Sequence, residues 1–223
     1  MGFPGLGPLW LTVQLGLVTV TILLVLGTPL AWWLARTRWR GREAIEAIVS
    51  LPIVLPPTVV GFYLLILLGP NGAIGKHWVT LTGQTLTFSF TGLVIASTVY
   101  SLPFVVQPLQ NAFEALGRRY LEAAATLGAR PLDAFVSVAL PLSARGYLTA
   151  TVMGFAHTLG EFGVVLMVGG NIPGSTRVIS IAIYDHVEAL EYGVAHRLAL
   201  ILLVFAFAAM VALYLVNRRW RHE

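Results

Sequence analysis

The chain has no cysteine, which excludes disulfides, thiolate catalysis and cysteine-based metal sites. It also has little charge. Only 11% of its 223 residues are Asp, Glu, Lys or Arg, against about 25% in soluble domains. Hydrophobic residues make up 57%, and the mean hydropathy is +0.81. A polypeptide this apolar has too few charges to coat a water-facing surface. Met1 to Pro8 contains no Lys or Arg, and the apolar run after it is too long for a signal-peptide core, so the first run is expected to be a retained anchor. No phosphate loop is present: Gly75-Lys76 is preceded by Pro70 where the first Gly belongs and followed by His77 where Ser or Thr belongs. If ATP drives this protein, another chain binds it.

What the chain does have is long stretches with little or no charge, the only acidic side chains in them being Glu46 and Glu161. A spanning helix needs about 20 apolar residues, and five segments qualify, at 9–35, 44–68, 87–113, 147–168 and 198–216. The expected fold is all-α: a single transmembrane domain over residues 1–223, a polytopic bundle of about five spanning helices. Ser50-Leu-Pro-Ile-Val-Leu-Pro-Pro57 has three prolines and cannot be regular helix, because each ring removes a donor and crowds a preceding carbonyl. Ser101-Leu-Pro-Phe-Val-Val-Gln-Pro108 echoes it, so two broken helix ends are expected to meet on one side. Residues 69–86 read as a polar loop, and 178–190 as a short helix that does not span.

Lys and Arg are unevenly distributed. Arg36, Arg38, Arg40 and Arg42, then Arg118, Arg119, Arg130 and Arg145, then Arg218, Arg219 and Arg221 fall on one side of a five-span chain. Lys76, Arg177 and Arg197 fall on the other. An arginine cluster beside a span reads either as a lipid or nucleic-acid patch or as a topology anchor, and position favours the anchor. The positive-inside rule then puts the N-terminus outside, and the C-terminus and the loop 114–146 in the cytoplasm.

That loop is the longest stretch that is neither a span nor a bare turn. Glu122 to Leu127 is Ala-rich and helix-forming. Gly128 is placed to stop the helix, Pro131 to open the next and Pro141 to end it. A short helix projecting from a membrane bundle is shaped to fit a partner's groove. The fixed residues Glu122, Ala123, Ala124, Gly128, Leu140 and Pro141, with Val138 where the pattern has Ile, resemble the Glu-Ala-Ala loop of ABC importer permeases. Leu51-Pro-Ile-Val-Leu-Pro-Pro57-Thr-Val-Val-Gly61, Gly160-Glu-Phe-Gly163 and Asn171-Ile-Pro-Gly174 extend the likeness over the whole chain, to molybdate permeases in particular; sulfate and tungstate permeases share parts of these motifs.

The resemblance implies the type I importer fold and a place in the cytoplasmic (inner) membrane. It implies a homodimer of permease chains in the lipid bilayer, worked by two cytoplasmic ATP-binding subunits that dock on the 122–128 helix. An extracytoplasmic oxyanion-binding protein would deliver the cargo. ATP would be bound by the partner subunits, with no cofactor or metal on this chain, no nucleic-acid partner and no catalysis.

Inside the fourth span, His157 and Glu161 lie four residues apart and share one face of a regular helix. Ionisable groups within a span cost a few kcal/mol and face the bundle interior. They are candidates for a pathway or gate; the structural reading is a local pair, or a carboxylate held by a neighbouring helix. A bare carboxylate repels an anion, so direct binding of an oxyanion by Glu161 is disfavoured. Ser97, Thr151 and Thr158 are candidates to line a weak route. The turn-rich run Gly169 to Arg177 could hold an oxyanion through backbone donors or be a plain loop. Gly154, Gly160 and Gly163 read as close-packing positions. Two rival functions stay in view, an intramembrane enzyme using His157 and Glu161 and a stand-alone channel. The first lacks a metal set or nucleophile, and the second leaves the partner-shaped loop without a use.

Because no native cysteine competes, single introduced thiols report orientation cleanly. In right-side-out spheroplasts, Lys76→Cys is predicted to react with a membrane-impermeant maleimide, and Glu122→Cys only after the membrane is opened. Labelling of Glu122→Cys from outside would reverse the orientation.

Overall fold

A computed structural model describes residues 6–219 of the chain. Among these the secondary structure is helical, with no strand. Three helices are long and apolar enough to cross a membrane: α1 (Leu6–Arg36), α5 (Phe90–Leu116) and α12 (Tyr192–Arg219). Two bent pairs each have the length and composition of a further span. α2 (Arg42–Val54) and α3 (Pro57–Leu68) meet at 112°, and α9 (Ala144–Gly160) and α10 (Gly163–Gly169) at 64°. Shorter helices complete the chain: α4 (Gly75–Thr82), α6 (Arg119–Thr126), α7 (Pro131–Ala134), α8 (Leu140–Leu142) and α11 (Ile179–Glu188).

Local chemistry accounts for the first bend. Leu55 precedes Pro56 and Pro56 precedes Pro57, and a residue before proline is pushed to extended backbone. Leu55 (ψ 137°) and Pro56 (ψ 139°) both take it. Pro57 then opens α3 at its first turn, where a missing N–H costs nothing. The other prolines behave differently from the sequence expectation. Pro52 lies inside α2, and α5 runs unbroken through Pro103 and Pro108, so the third span has no broken end. Pro103 is buried against neighbouring helices, and that packing holds the helix where local propensity would break it. Residues 69–86 are likewise not all loop, since α4 lies within them.

α5 is the hub, in contact with α1, α2, α3, α9 and α10. Leu23, Leu34, Val105, Leu109, Phe113 and Ala150 join α1, α5 and α9 in one buried cluster. A second cluster, with Val60, Leu64, Ala96, Val164 and Val168, seats α3 and α10 on α5. α12 packs mainly on α11 and α9 and leaves Leu203, Phe207 and Tyr214 exposed, which suits a lipid-facing helix. Small residues make the closest approaches. A Cβ on Gly154 would lie 2.6 Å from Val105 Cγ2, and one on Gly163 would lie 2.8 Å from Pro57 Cβ, whereas Gly160 has nothing within 4 Å.

Gly154→Leu is therefore expected to cost about 1–3 kcal/mol by overpacking, seen as a lower melting temperature in detergent. Gly160→Ala is expected to leave the melting temperature unchanged or slightly raised. Equal behaviour of the two variants would contradict this packing.

Candidate functional site: an exposed helical segment and a buried polar belt

The segment 118–143 is built by its caps. α6 ends with Leu127; Gly128 follows in the left-handed conformation (φ +83°). Gly128 N–H donates to Ala125 O (3.0 Å) and Ala129 N–H to Ala124 O (3.0 Å), the paired bonds of a Schellman stop. Arg130 is extended before Pro131, which opens α7. Pro141 does not end the next stretch. Phe135–Ala139 widens into a π turn, with Leu140 N–H donating to Phe135 O, and helix continues through Pro141 to Leu142. The wider turn makes room for a ring that a regular helix would clash with. Only Ser143 separates this segment from α9.

Small buried residues let α6 lie on this second stretch: Ala124, Ala134 and Ala139 are buried, whereas Glu122, Ala123 and Gly128 are exposed. The outer surface is apolar for a helix outside the membrane. Leu127 is 89% exposed and Leu132 72%, with Val136, Leu140 and Leu142 alongside. At the other side, Phe135 stands edge-on to Trp32 (4.7 Å) and tilted against Phe113 (6.1 Å), which fixes the segment to the ends of α1 and α5.

The second region lies between α5 and α9. His157 Nδ1 is 2.9 Å from Ser101 Oγ, which is also 3.2 Å from Thr158 Oγ1. The imidazole stacks on Phe104 at 3.8 Å and touches Tyr100 at 4.9 Å. Glu161 sits in the break between α9 and α10 with extended backbone (ψ 131°), and its carbonyl accepts from Ser180 Oγ at 2.7 Å. Because the helix ends at Gly160, the four-residue spacing to His157 does not become a shared helix face, and among the described residues no ion pair joins the two. The Glu161 side chain is 4% exposed, and neither carboxylate oxygen has a hydrogen-bond partner. The Ser97 hydroxyl faces it without closing a bond.

Toward the loop end, a cavity of about 450 Å³ opens beside this belt, lined by Phe104, Gln107, Asn111, Arg145, Thr149 and Met153 among others, and by no carboxylate. The hydroxyls chosen from sequence do not line it. Ser97 and Thr158 are buried within the helix packing, and Thr151 turns back to Tyr147 O at 2.7 Å. Sequence reasoning missed Tyr100, Ser101 and Phe104, which stand beside a proline that drew attention for backbone reasons alone. The 169–177 run is closed on itself: the N–H groups of Ser175, Thr176 and Arg177 all donate to Ile172 O, and Asn171 joins Arg177 to Asp185. That leaves these donors no oxyanion to hold.

An all-α bundle with three long apolar helices, two bent helix pairs and a segment of short helices between α5 and α9 is the architecture of a polytopic membrane protein. The chain belongs to the family of inner membrane components of binding-protein-dependent transport systems, whose model matches residues 27–222. It is thus a multi-pass protein of the inner membrane. It is 59% identical over 208 residues to the molybdenum transport system permease protein ModB of Azotobacter vinelandii, covering 93% of this chain and 92% of that one. It is 35% identical over 193 residues to the sulfate transport system permease protein CysT of Escherichia coli strain K12, covering 86% and 68%. The fold matches a chain of the MetNI methionine ABC transporter with a TM-score of 0.72 at 18% identity, over 95% of this chain and 94% of that one.

A buried carboxylate without partners is costly, and an amide of the same shape costs less. Glu161→Gln is predicted to raise the melting temperature of the isolated chain, and a drop of several degrees would show that the carboxylate is held by a partner.

Proposed function

We propose that this chain is the permease subunit of an ATP-driven, binding-protein-dependent importer that carries molybdate across the cytoplasmic membrane by alternating access. The observation that carries the reading is the exposed apolar surface of the 118–143 segment. In the orientation given by the arginines it stands in the cytoplasm, where a groove on an ATP-binding subunit would cover Leu127, Leu132 and Val136. Glu122, Ala123, Ala124, Gly128, Leu140 and Pro141 make up this coupling segment: Ala124 lets the helices lie close, Gly128 sets the turn, and Glu122 is exposed for contact. Two copies of the chain form the path, two ATP-binding subunits dock below, and an oxyanion-binding protein docks outside. ATP is held by the partner subunits, and the chain itself carries no cofactor and no catalysis.

The geometry supports a mechanical route. A pull on the docked segment reaches α9 directly through Ser143 and reaches α1 and α5 through Phe135. α9 carries His157 and ends at the Glu161 break, so its displacement moves the aromatic belt of Tyr100, Phe104 and His157, which serves as the gate. The cavity on its cytoplasmic side is lined by Gln107, Asn111, Thr149 and the cationic Arg145 and by no carboxylate, a surface that admits an anion rather than repelling it. Molybdate is favoured over sulfate or tungstate by the 59% identity to a molybdenum permease, and selection rests mainly with the binding protein.

In the reconstituted transporter, Glu122→Ala and Gly128→Val are expected to lower ATP-driven molybdate uptake by at least about tenfold, the equivalent of ~1.4 kcal/mol of lost coupling. The protein should remain in the membrane. Gly128→Val acts by placing a β-branched residue at a positive φ. Unchanged uptake in both would refute docking at this segment, and sulfate outcompeting molybdate would refute the cargo.

A further inference from the structure

The arginines that set the topology are not equivalent in space. Arg36, at the end of α1, Arg42, at the start of α2, and Arg118, just before α6, line one cavity of about 400 Å³ with Phe113 and Glu114. Arg38 and Arg40, in the turn between α1 and α2, are exposed and do not line it. A topology signal needs the number of positive charges on one side. It does not need three guanidinium groups, one of them from a loop 76 positions further along the chain than Arg42, to converge on a pocket.

Within the cavity the charges are unbalanced. Arg42 bonds to Glu46 and Glu114, and Gln110 donates to both carboxylates. The one carboxylate lining the cavity is therefore engaged. Among the described residues no ion pair engages Arg36 or Arg118, and the charge of Arg118 acts on Arg36 through space. The Arg36 guanidinium lies 3.6 Å over the Trp32 ring, and its Nε is buried without a hydrogen-bond partner. A buried donor left unmade is expensive, and two like charges beside it make the pocket ready for an anion.

Depth identifies the anion. Trp33 and Trp39 flank the cavity rim in sequence and are 41% and 59% exposed, and exposed tryptophans of membrane proteins concentrate at headgroup level. Guanidinium forks match the oxygens of a phosphate, and basic pockets between spanning helices on the cytoplasmic side hold anionic headgroups. We propose that Arg36 and Arg118, beside the carboxylate-paired Arg42, form a binding site for the phosphate of an anionic phospholipid. A headgroup held by Arg36 and Arg118 together ties the start of the coupling segment to the end of α1. That the leaflet is the inner one rests on the orientation proposed above; the binding itself does not.

The test is retention of phosphatidylglycerol by the purified full-length chain from mixed phosphatidylglycerol and phosphatidylcholine nanodiscs, read by native mass spectrometry. Arg36→Gln with Arg118→Gln is expected to lower retention more than about tenfold, because each change removes charge-assisted hydrogen bonds to the phosphate. Arg38→Gln with Arg40→Gln removes the same charge outside the cavity and is expected to change retention less than about twofold, since long-range surface attraction is largely screened by salt. Arg118→Gln alone, at an exposed position, gives the same direction if the double variant fails to fold. Equal losses in the two double variants would mean diffuse attraction and overturn the site. Displacement of the lipid by millimolar inorganic phosphate would assign the pocket to a soluble ligand and overturn the lipid reading.

Discussion

The contact on which the rest depends is the aromatic cluster in which Phe135 meets Trp32 and Phe113, which also touch each other. A helix lying outside a membrane bundle can move without consequence unless something joins it to the spans. Here one ring joins it to the ends of α1 and α5, and the chain itself joins it to α9 through a single residue. Edge-on aromatic pairs are worth about 0.5–1.5 kcal/mol beyond their buried area. That is enough to keep the segment seated, while leaving its outer face, Leu127 to Leu142, free for a partner.

The membrane interior sets the second constraint. Backbone groups in lipid must be satisfied, so a broken span survives only where protein or water covers the break. Both breaks obey this. Gly163 packs on Pro57, so the end of one bend lies against the end of the other, and Ser180 of α11 covers the carbonyl of Glu161. The two irregular points are thus neighbours, placed beside the polar and aromatic belt of α5 and α9. A bundle that bends at one place on two spans has a built-in hinge, and Glu161, whose buried carboxylate has no hydrogen-bond partner, sits at it.

Much of this was legible in the sequence, and the legible part is the local part. Charge-free runs mark the helices, Gly128 needs its left-handed turn, and Pro131 and Pro57 open helices because their rings are harmless there. The remainder depends on neighbours. α5 stays whole across Pro103 and Pro108 because surrounding helices hold it, and Pro141 is absorbed by a π turn. The bend at Glu161 has no proline to announce it, which is why His157 and Glu161 read as a pair on one helix face. The pairing of His157 with Ser101 joins residues 56 positions apart, and in the 169–177 run, read as an oxyanion cradle or a plain loop, the N–H groups of Ser175, Thr176 and Arg177 bond to the loop's own Ile172 carbonyl. The convergence of Arg36 with Arg118 was invisible for the same reason.

The most direct measurement follows the movement itself. Spin labels on Met153→Cys, which lines the cavity on α9, would report, in the two-copy transporter proposed above, the distance between copies with and without ATP. The account predicts an ATP-dependent change in that distance that disappears in Phe135→Ala while ATP is still hydrolysed. An ATP-dependent change that persists at full size without the Phe135 ring would contradict it.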